Sequence, residues 1–351
     1  MSMNAFVYRG PGKAVVEQRP TPTIQKPTDA VVKMLKTTIC GTDLHILKGD
    51  VPTCAEGRIL GHEGIGIVES VGAAVNTFKP GDNVIIAALP PAQHANTAVA
   101  VCLLTVPTVA GIPYADTSLH SANVKGVSKE ALVMISDALP TGYECGTLNG
   151  NVQPGSSVAV IVFVSLPPNH DIISVLSIAG GGPVGLSALL TAQFFSPSQL
   201  IMIDLDENRL ATAKSVGATH TVKSGPDTVK QILDITGGRG VDTVIEAVGV
   251  PKTFELCQDI VAVGGTIANV GVHGTKADIH LERLWSMNLT IRTRLVDAIT
   301  IPQLIKIVEG GRVDPQALLT HTFKFSDVQS AYGTFGAAAK NNALKVVINF
   351  D

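Results

Sequence analysis

The spacing of apolar and polar positions changes part-way along the chain. Residues 1–86 hold short apolar segments such as "AFVYRG" and "NVIIAA", separated by turn sequences such as "FKPGD". This pattern predicts an antiparallel, barrel-like set of strands. From about residue 153, apolar segments such as "LIMIDL" alternate with helical stretches such as "RLATAKSVGA". The alternation predicts a parallel sheet with helices on both faces, so an α/β protein is expected.

Length and composition narrow the class of protein. The 351 residues correspond to about two domains, and 45% hydrophobic against 16% charged residues indicates large cores. With a net charge of −3 and no Lys/Arg cluster, no nucleic-acid partner is expected. Five scattered cysteines and an N-terminus without an apolar signal segment indicate a reducing compartment, so a cytoplasmic location is expected.

One uncharged stretch is long enough to cross a membrane. Residues 172–203 carry no charged side chain, and about 20 apolar residues span a bilayer. The stretch is interrupted by "GGGPVG" and "FFSPSQ", which are turn and helix-start sequences. A buried strand followed by a core helix has the same composition, so no membrane partner is expected.

A glycine pattern within that stretch is typical of dinucleotide sites. Gly180, Gly182 and Gly185 follow an apolar segment in G-x-G-x-x-G spacing, and Asp204 ends the next predicted strand 19 residues after Gly185. Such glycines allow a tight turn against a pyrophosphate, and the acid accepts hydrogen bonds from the adenosine ribose. A carboxylate repels a 2′-phosphate, and Arg209 lies one helical turn beyond the strand end. NAD is therefore expected rather than NADP.

A thiol and an imidazole near the N-terminus can both bind a metal. Cys40 and His62 are 22 residues apart, and no C-x-x-C sequence exists in the chain. A structural zinc site of the cysteine-rich kind is therefore not indicated, whereas a catalytic zinc needs only three protein ligands. By spacing alone, such a pair is more often an ordinary core cysteine and a loop histidine than two ligands of one metal.

Seven motifs together carry a resemblance to a known family. They are "ICGTDLHILKG", "GRILGHEGIGIVESVG", "FKPGDNVI", "SDALPTGYECG", "GGGPVGL", "VDTVIEAVG" and "GGTIANVGVHG". In this order they resemble the zinc-dependent alcohol dehydrogenases of the medium-chain dehydrogenase/reductase superfamily, over nearly the whole chain. The resemblance implies a GroES-like β-barrel catalytic domain over residues 1–152 and 298–351. It also implies a Rossmann domain, a doubly wound parallel sheet that binds NAD, over residues 153–297.

The resemblance also implies a ligand set for one catalytic zinc ion. Cys40 and His62 match the family's first two ligands, and Asp137 matches the third. Glu63, next to His62, is a fourth or alternating ligand in part of the family. Cys145 remains a rival third ligand, and a helix cap is the alternative role for Asp137.

Further residues receive roles by the same resemblance. Thr42 is expected to touch the substrate hydroxyl and His45 to belong to a proton relay toward solvent, although a partly exposed loop histidine is the alternative for His45. A small alcohol or carbonyl compound is the expected substrate. Relatives form dimers or tetramers around the region matching residues 281–296, so a homodimer or homotetramer is expected. The cofactor-binding residues expected are Gly180, Gly182, Pro183, Val184, Gly185, Asp204 and Arg209.

Two segments depart from the family pattern. Residues 87–111 replace a lobe in which most relatives bind a structural zinc through four cysteines, and only Cys102 is present here. Residues 162–179 are 18 extra residues between "VAVI" and the glycine turn, as an in-frame retained intron would produce. Two segments can then fill the central strand position, "VAVIV" (158–162) or "ISVLSIA" (173–179). We expect "ISVLSIA", because it directly precedes the glycine turn.

The resulting hypothesis is a zinc-dependent alcohol dehydrogenase that transfers hydride between a small primary or secondary alcohol and NAD. A polyol or threonine-type dehydrogenase of the same superfamily is one alternative. A catalytically impaired NAD-binding relative, spoiled by the insertion, is another. A zinc-free quinone reductase is the third, and such proteins lack the Cys–His–acid set present here.

Overall fold

The computed structural model describes residues 2–87, 100–103, 119–162 and 182–350, and within these ranges the chain forms fifteen strands. The strands are β1 (Ser2–Tyr8), β2 (Ala14–Pro20), β3 (Asp29–Thr38), β4 (Gly64–Val71), β5 (Asn83–Ile86), β6 (Ala100–Leu103), β7 (Leu119–Ser121), β8 (Ser157–Ile161), β9 (Gln199–Asp204), β10 (His220–Lys223), β11 (Val241–Glu246), β12 (Val261–Asn269), β13 (Thr290–Thr293), β14 (Leu319–Lys324) and β15 (Lys345–Asn349).

The same ranges contain eleven α-helices. They are α1 (Gly41–Lys48), α2 (Lys129–Met134), α3 (Ala138–Thr141), α4 (Pro183–Ala192), α5 (Glu207–Ser215), α6 (Thr228–Ile235), α7 (Pro251–Ile260), α8 (Leu281–Leu284), α9 (Ile301–Glu309), α10 (Val328–Gly336) and α11 (Ala338–Asn341). A π-helical segment, Gly142–Leu148, continues α3. Short 3-10 helices cover Gln193–Phe195, Pro315–Leu318 and Phe325–Asp327. No helix of the described ranges is both long and apolar enough to cross a membrane.

The chain forms two compact units. The first comprises Met1–Asp137 and Asp297–Asp351, and the second comprises Ala138–Val296. The first division falls after Asp137, whereas the sequence prediction placed the domain boundary after residue 152. The difference arises because the α3 and π-helical region packs on α4 of the second unit. A Cβ added to Gly142 would lie 2.4 Å from the backbone nitrogen of Ala188, so only glycine allows this close helix contact.

The first unit is built around a mixed sheet in the order β14-β15-β3-β4-β5-β7, with β6 also paired to β3. The pairs from β15 to β7 are antiparallel, whereas β14 pairs with β15 and β6 pairs with β3 in parallel. Strands β1 and β2 form a separate hairpin. The pairing of β3 with β4 sets Thr37 opposite Gly64. The loop that follows β3 and the loop that precedes β4 therefore emerge at the same end of the sheet, and this end carries the candidate metal ligands.

The second unit is a six-stranded parallel sheet in the order β10-β9-β8-β11-β12-β13. In sequence terms this is the order 3-2-1-4-5-6 of doubly wound dinucleotide-binding folds. Its strands are nearly continuous apolar runs because helices cover both faces; Val158, Ile161 and Ile245, for example, are fully buried. The strand–helix alternation read from the sequence therefore corresponds to a doubly wound sheet.

The central strand of this sheet is β8, Ser157–Ile161, which pairs with β9 on one side and β11 on the other. The expectation that "ISVLSIA" (173–179) fills this position is therefore wrong, and those residues lie outside the described ranges. The physical reason is that "VAVIV" (158–162), the segment that matches the family motif, pairs with a strand on each side. It also still contacts the glycine turn. A Cβ on Gly185 would lie 2.7 Å from Cγ2 of Val162, so strand end and helix start remain adjacent despite the intervening residues.

Removing residues 162–179 is expected to stabilise the protein. The deletion joins "VAVI" to "GGGPVGL" without disturbing β8, because the strand end and the α4 start already lie next to each other. Loop-closure entropy alone predicts a gain of about 1–3 kcal/mol, which thermal melting measures. NAD binding should also tighten. A variant carrying a Gly/Ser sequence of equal length separates the effect of the insertion's length from the effect of its sequence. If the deletion variant melts no higher and binds NAD no better, the insertion is a tolerated or functional part of the protein.

The replaced lobe, residues 87–111, lies mostly outside the described ranges. Of this segment the structure describes Ala87 and β6, and β6 pairs in parallel with residues 29–32 of β3.

Candidate metal centre and dinucleotide site

Four side chains that can ligate a metal meet in the first unit. Cys40, His62, Glu63 and Asp137 each offer one ligand atom, and these atoms all lie within 4.8 Å of one another. Cys40 Sγ and His62 Nε2 lie 3.7 Å and 3.8 Å from the same oxygen, Oδ2 of Asp137. On a tetrahedral zinc with metal–ligand distances of about 2.0–2.3 Å, ligand atoms lie about 3.3–3.6 Å apart. The set therefore fits a zinc ion in both donor type and spacing.

The fold explains why residues distant in sequence meet here. Cys40 follows β3 and caps the N-terminus of α1, while His62 and Glu63 directly precede β4. Asp137 follows α2, and among the described residues the cluster contains this carboxylate and not Cys145, which is buried in the π-helical segment. The rival third ligand is thus not part of the group that the structure brings together.

Asp43, which the sequence interpretation did not include, contacts two residues of the cluster, Cys40 and His62. Its fully buried carboxylate accepts a hydrogen bond from the Cys40 backbone N–H at 3.1 Å, and its other oxygen lies 3.3 Å from Nδ1 of His62. A carboxylate behind a ligating histidine orients the ring and leaves the opposite nitrogen for the metal. The Cys-x-x-Asp spacing, in which the acid stands three residues after a helix cap, was the available signal.

Glu63 is held by a second residue that the sequence interpretation missed. Lys345, in β15, donates a hydrogen bond to Oε1 of Glu63 at 2.6 Å, and both side chains are almost completely buried. The Thr38 hydroxyl donates to the other carboxylate oxygen. Burial lowers the pKa of Lys345, but the charges of Glu63 and Cys40 outweigh burial and raise that pKa above its usual value. Lys345 is therefore a buried cation paired with Glu63.

Burial and neighbouring charges shift the pKa values of the candidate ligands. Burial raises the pKa of the Cys40 thiol. Burial lowers the pKa of His62, but the charges of Asp43 and Cys40 outweigh it and raise that pKa well above its usual value. Burial also opposes ionisation of Asp137, yet hydrogen bonding to His62 and its charge hold the carboxyl pKa below its usual range. Because zinc binds thiolate and neutral imidazole, loading the site is expected to release protons.

The two residues expected to handle the substrate proton lie on α1. The Cys40 thiol donates to the Thr42 hydroxyl at an Sγ–Oγ1 distance of 3.7 Å, so Thr42 borders the metal cluster. His45 lies one turn further along, and its Nδ1 is 3.1 Å from Oδ2 of Asp50, which is exposed. Residues three apart on a helix share a face, so the order Thr42, His45, Asp50 runs from the cluster toward solvent.

The described part of the glycine turn opens α4. Gly182 is the N-cap, Pro183 is the first helical residue, and Val184 and Gly185 follow. Pro at this position costs no hydrogen bond, because the first N–H groups of a helix have no partner within it. These free N–H groups and the helix dipole favour an anion such as a pyrophosphate. Gly180 lies outside the described ranges.

Asp204 ends β9 at the carboxyl edge of the sheet, as the sequence predicted for this strand. Its Oδ1 accepts a hydrogen bond from the Asp206 N–H at 2.9 Å. Its Oδ2 is buried and has no hydrogen-bond partner among the described residues. Burial raises the pKa of Asp204 to about 6, and the charge of Arg209 on α5 acts against this rise. A buried carboxylate oxygen without a donor fits a site for a ribose hydroxyl.

Comparison with known proteins decides the family. The zinc-binding dehydrogenase family model matches residues 183–310, and the alcohol dehydrogenase GroES-like domain model matches residues 26–139. An alcohol dehydrogenase of Cupriavidus necator is 31% identical over 382 residues, covering 99% of this chain and 98% of that protein. The chain belongs to the zinc-type alcohol dehydrogenases. The resemblance based on motifs is confirmed, and the chain is an oxidoreductase of this family.

Two further relatives of this zinc-type alcohol dehydrogenase bear on fold and cofactor. The apo structure of zinc dependent alcohol dehydrogenase 2 from Streptococcus pneumonia has 46% sequence identity and a TM-score of 0.86, covering 100% of this chain and 99% of that one. The predicted combination of a GroES-like domain and a Rossmann domain is thereby confirmed. The NADP-dependent isopropanol dehydrogenase of Thermoanaerobacter brockii is 30% identical, covering 99% of each chain. Membership of the family therefore does not decide between NAD and NADP.

Proposed function

We propose that this protein oxidises a small primary or secondary alcohol, or reduces the corresponding carbonyl compound, with one catalytic zinc ion and NAD. The observation that carries the proposal is the convergence of Cys40, His62, Glu63 and Asp137 within 4.8 Å. A thiolate, an imidazole and carboxylates form the kind of ligand set that catalytic zinc uses.

In this proposal each residue of the first unit has a defined task. Cys40, His62 and Asp137 hold the ion, which when bound polarises the alcohol oxygen and lowers the pKa of the hydroxyl. Asp43 keeps the His62 ring in position. Thr42 orients the substrate hydroxyl by hydrogen bonding, and His45 passes the proton toward Asp50 and solvent.

Glu63 is expected to be a reserve ligand rather than a permanent one. Its two carboxylate oxygens already accept hydrogen bonds from Lys345 and Thr38. A ligand role for Glu63 therefore competes with these two bonds.

The test of the proposed function measures zinc and activity on the same sample. Purified protein is analysed for bound zinc and for NAD-dependent oxidation of a panel of small alcohols, with polyols and threonine included to test the alternative substrates. Oxidation of simple alcohols by zinc-loaded protein supports the proposal. If zinc-loaded protein binds NAD but oxidises none of the panel, the result supports the alternative of a catalytically impaired NAD-binding relative. The insertion next to the glycine turn is the reason for considering this alternative.

The choice of NAD rests on Asp204 and yields a further prediction. In Asp204→Gly, NAD loses hydrogen bonds to a charged group, which are typically worth about 1.5–3 kcal/mol, and NADP loses a source of repulsion. The ratio of NADP to NAD dissociation constants should therefore fall at least tenfold, as measured by fluorescence titration. Asp206→Asn is the matched control, since it removes a nearby charge and keeps an acceptor for the α5 N-terminus. A wild-type preference for NADP would refute the assignment.

We also propose that the second unit associates with a second copy of the chain along β13. This strand is the edge of the parallel sheet, and within the described ranges no strand pairs with its outer side. Leu281 and Trp285, which precede β13 in the chain, and Leu295, which follows it, are 67%, 79% and 58% exposed, which is unusual for large apolar side chains. Light scattering should give at least twice the 36.5 kDa chain mass, and Trp285→Glu should lower it. A wild-type mass of one chain would contradict this proposal.

A further inference from the structure

Glu246, the last residue of β11, organises the loops at the carboxyl ends of β11 and β12. Its fully buried carboxylate accepts hydrogen bonds from the Gly249 N–H at 2.9 Å and from the Thr253 hydroxyl at 2.5 Å. Its backbone carbonyl accepts from the N–H groups of Val270 and Gly271 at 2.8 Å and 3.1 Å. One residue thus fixes the loop after β11 and the loop after β12.

Two glycines bring these loops into backbone contact. Gly249 has φ +87°, and a Cβ there would lie 2.2 Å from the carbonyl oxygen of Val272. A Cβ on Gly271 would lie 2.1 Å from the Gly249 nitrogen. Neither position tolerates a side chain, because the backbones of the two loops touch there. These backbone contacts fix the position of the segment that carries His273.

The hydrogen bonds of His273 determine which ring nitrogen carries the proton. Nε2 lies 2.8 Å from Oδ1 of Asn269 and 3.6 Å from Oε2 of Glu246. The Asn269 amide is oriented by its own Nδ2, which donates to the Gly271 carbonyl at 3.0 Å. Since Nε2 faces acceptors, it is the N–H donor, and Nδ1 of the neutral ring is a hydrogen-bond acceptor. Nδ1 is buried and has no hydrogen-bond partner within the described part of the chain.

The position of His273, just beyond the carboxyl end of β12, indicates which part of a bound dinucleotide lies near this acceptor. A doubly wound sheet binds the two nucleotides of a dinucleotide over its two halves, at the carboxyl ends of the strands. Asp204, at the end of β9, belongs to the half that takes the adenosine. His273 follows β12 by four residues and belongs to the other half, over which the nicotinamide nucleoside lies. The hydrogen-bond donors of that nucleoside are its ribose hydroxyls and its carboxamide N–H groups.

We propose that His273 binds the nicotinamide nucleoside of the cofactor by accepting, at Nδ1, a hydrogen bond from one of these donors. The inference rests on the proposed dinucleotide binding and adds a residue that positions the reactive end of the cofactor. Asn269 and Glu246 hold the ring so that Nδ1 stays an acceptor, and Phe254 packs against it edge to face at a centroid distance of 5.9 Å.

Two substitutions of His273 distinguish the contribution of Nδ1 from that of Nε2. His273→Gln keeps an N–H donor near the position of Nε2 and removes the acceptor at Nδ1. His273→Asn places an amide oxygen near the position of Nδ1. Calorimetric titration with NAD, ADP-ribose and 5′-AMP then compares the whole dinucleotide, the dinucleotide without nicotinamide, and the adenosine half alone.

The expected result is NAD binding that is about five- to tenfold weaker in His273→Gln, the usual contribution of one hydrogen bond, and largely restored in His273→Asn. Binding of 5′-AMP should stay within about twofold of wild type. Equal weakening for ADP-ribose assigns a ribose hydroxyl, and weakening for NAD alone assigns the carboxamide; both support the proposal. Unchanged NAD binding, or equal weakening for 5′-AMP with a lowered melting temperature, overturns it. Wild-type protein that binds none of the three ligands refutes the proposed dinucleotide function itself.

Discussion

Replacing Cys40 with alanine is expected to abolish zinc binding and alcohol oxidation together. The substitution removes one of the three proposed ligands, whose donor atoms meet at the cluster, and Sγ of Cys40 lies only 3.7 Å from the Asp137 carboxylate. Loss of a residue that merely supports a metal ligand costs about 10–100-fold in metal affinity or activity. Loss of a direct ligand should therefore lower zinc affinity and activity by more than about 100-fold.

Cys54→Ala is the matched control for this experiment. Cys54 is a buried cysteine of the same unit and is not a member of the metal cluster. Its replacement should lower stability slightly and leave the zinc content near that of wild type. Zinc is measured by elemental analysis, activity by NADH formation, and folding by circular dichroism. Alcohol oxidation that persists in a fully zinc-free Cys40→Ala protein would contradict the zinc-dependent reaction.

Replacing Lys345 with methionine is expected to destabilise the protein by about 3–5 kcal/mol, the range for breaking a buried ion pair. The cost arises because Glu63, itself fully buried, loses the ammonium group that lies 2.6 Å from its oxygen. The carboxylate must then stay charged without a cationic partner or bind a proton, and burial already raises its pKa. The free energy of unfolding from urea titration, with the zinc content held equal, measures the effect.

Two variants show whether the uncompensated charge is the cause. Lys345→Met combined with Glu63→Gln should recover more than half of the lost stability, because a neutral amide still pairs with Thr38. Lys340→Met, on the exposed surface of α11, should change the free energy of unfolding by less than about 0.5 kcal/mol. If Lys345→Met is no more destabilising than Lys340→Met, the buried pair is not a structural element.

The sequence by itself predicted most of the strand and helix pattern and indicated the residues that are proposed to bind zinc and NAD. Strand periodicity, the strand–helix alternation and the G-x-G-x-x-G turn are encoded over fewer than about 20 residues, so local pattern suffices to predict them. The same holds for Cys40 and His62, which stand in short motifs, and for Asp204 at a strand end. These local signals predicted the doubly wound sheet, whose strand order the structure then showed.

Only the tertiary structure decided which distant groups became partners. Lys345 stands in an apolar strand 282 residues after Glu63, and nothing in its local sequence distinguishes it from a surface lysine. Strand β8, rather than the segment next to the glycine turn, fills the centre of the sheet because it pairs on both sides, a property that sequence position does not encode. Likewise, the ring nitrogens of His273 acquire different roles only when β11 and β12 bring Glu246 and Asn269 beside it. Pairings of this kind depend on desolvation and on contacts between separate elements, and both exist only in the folded chain.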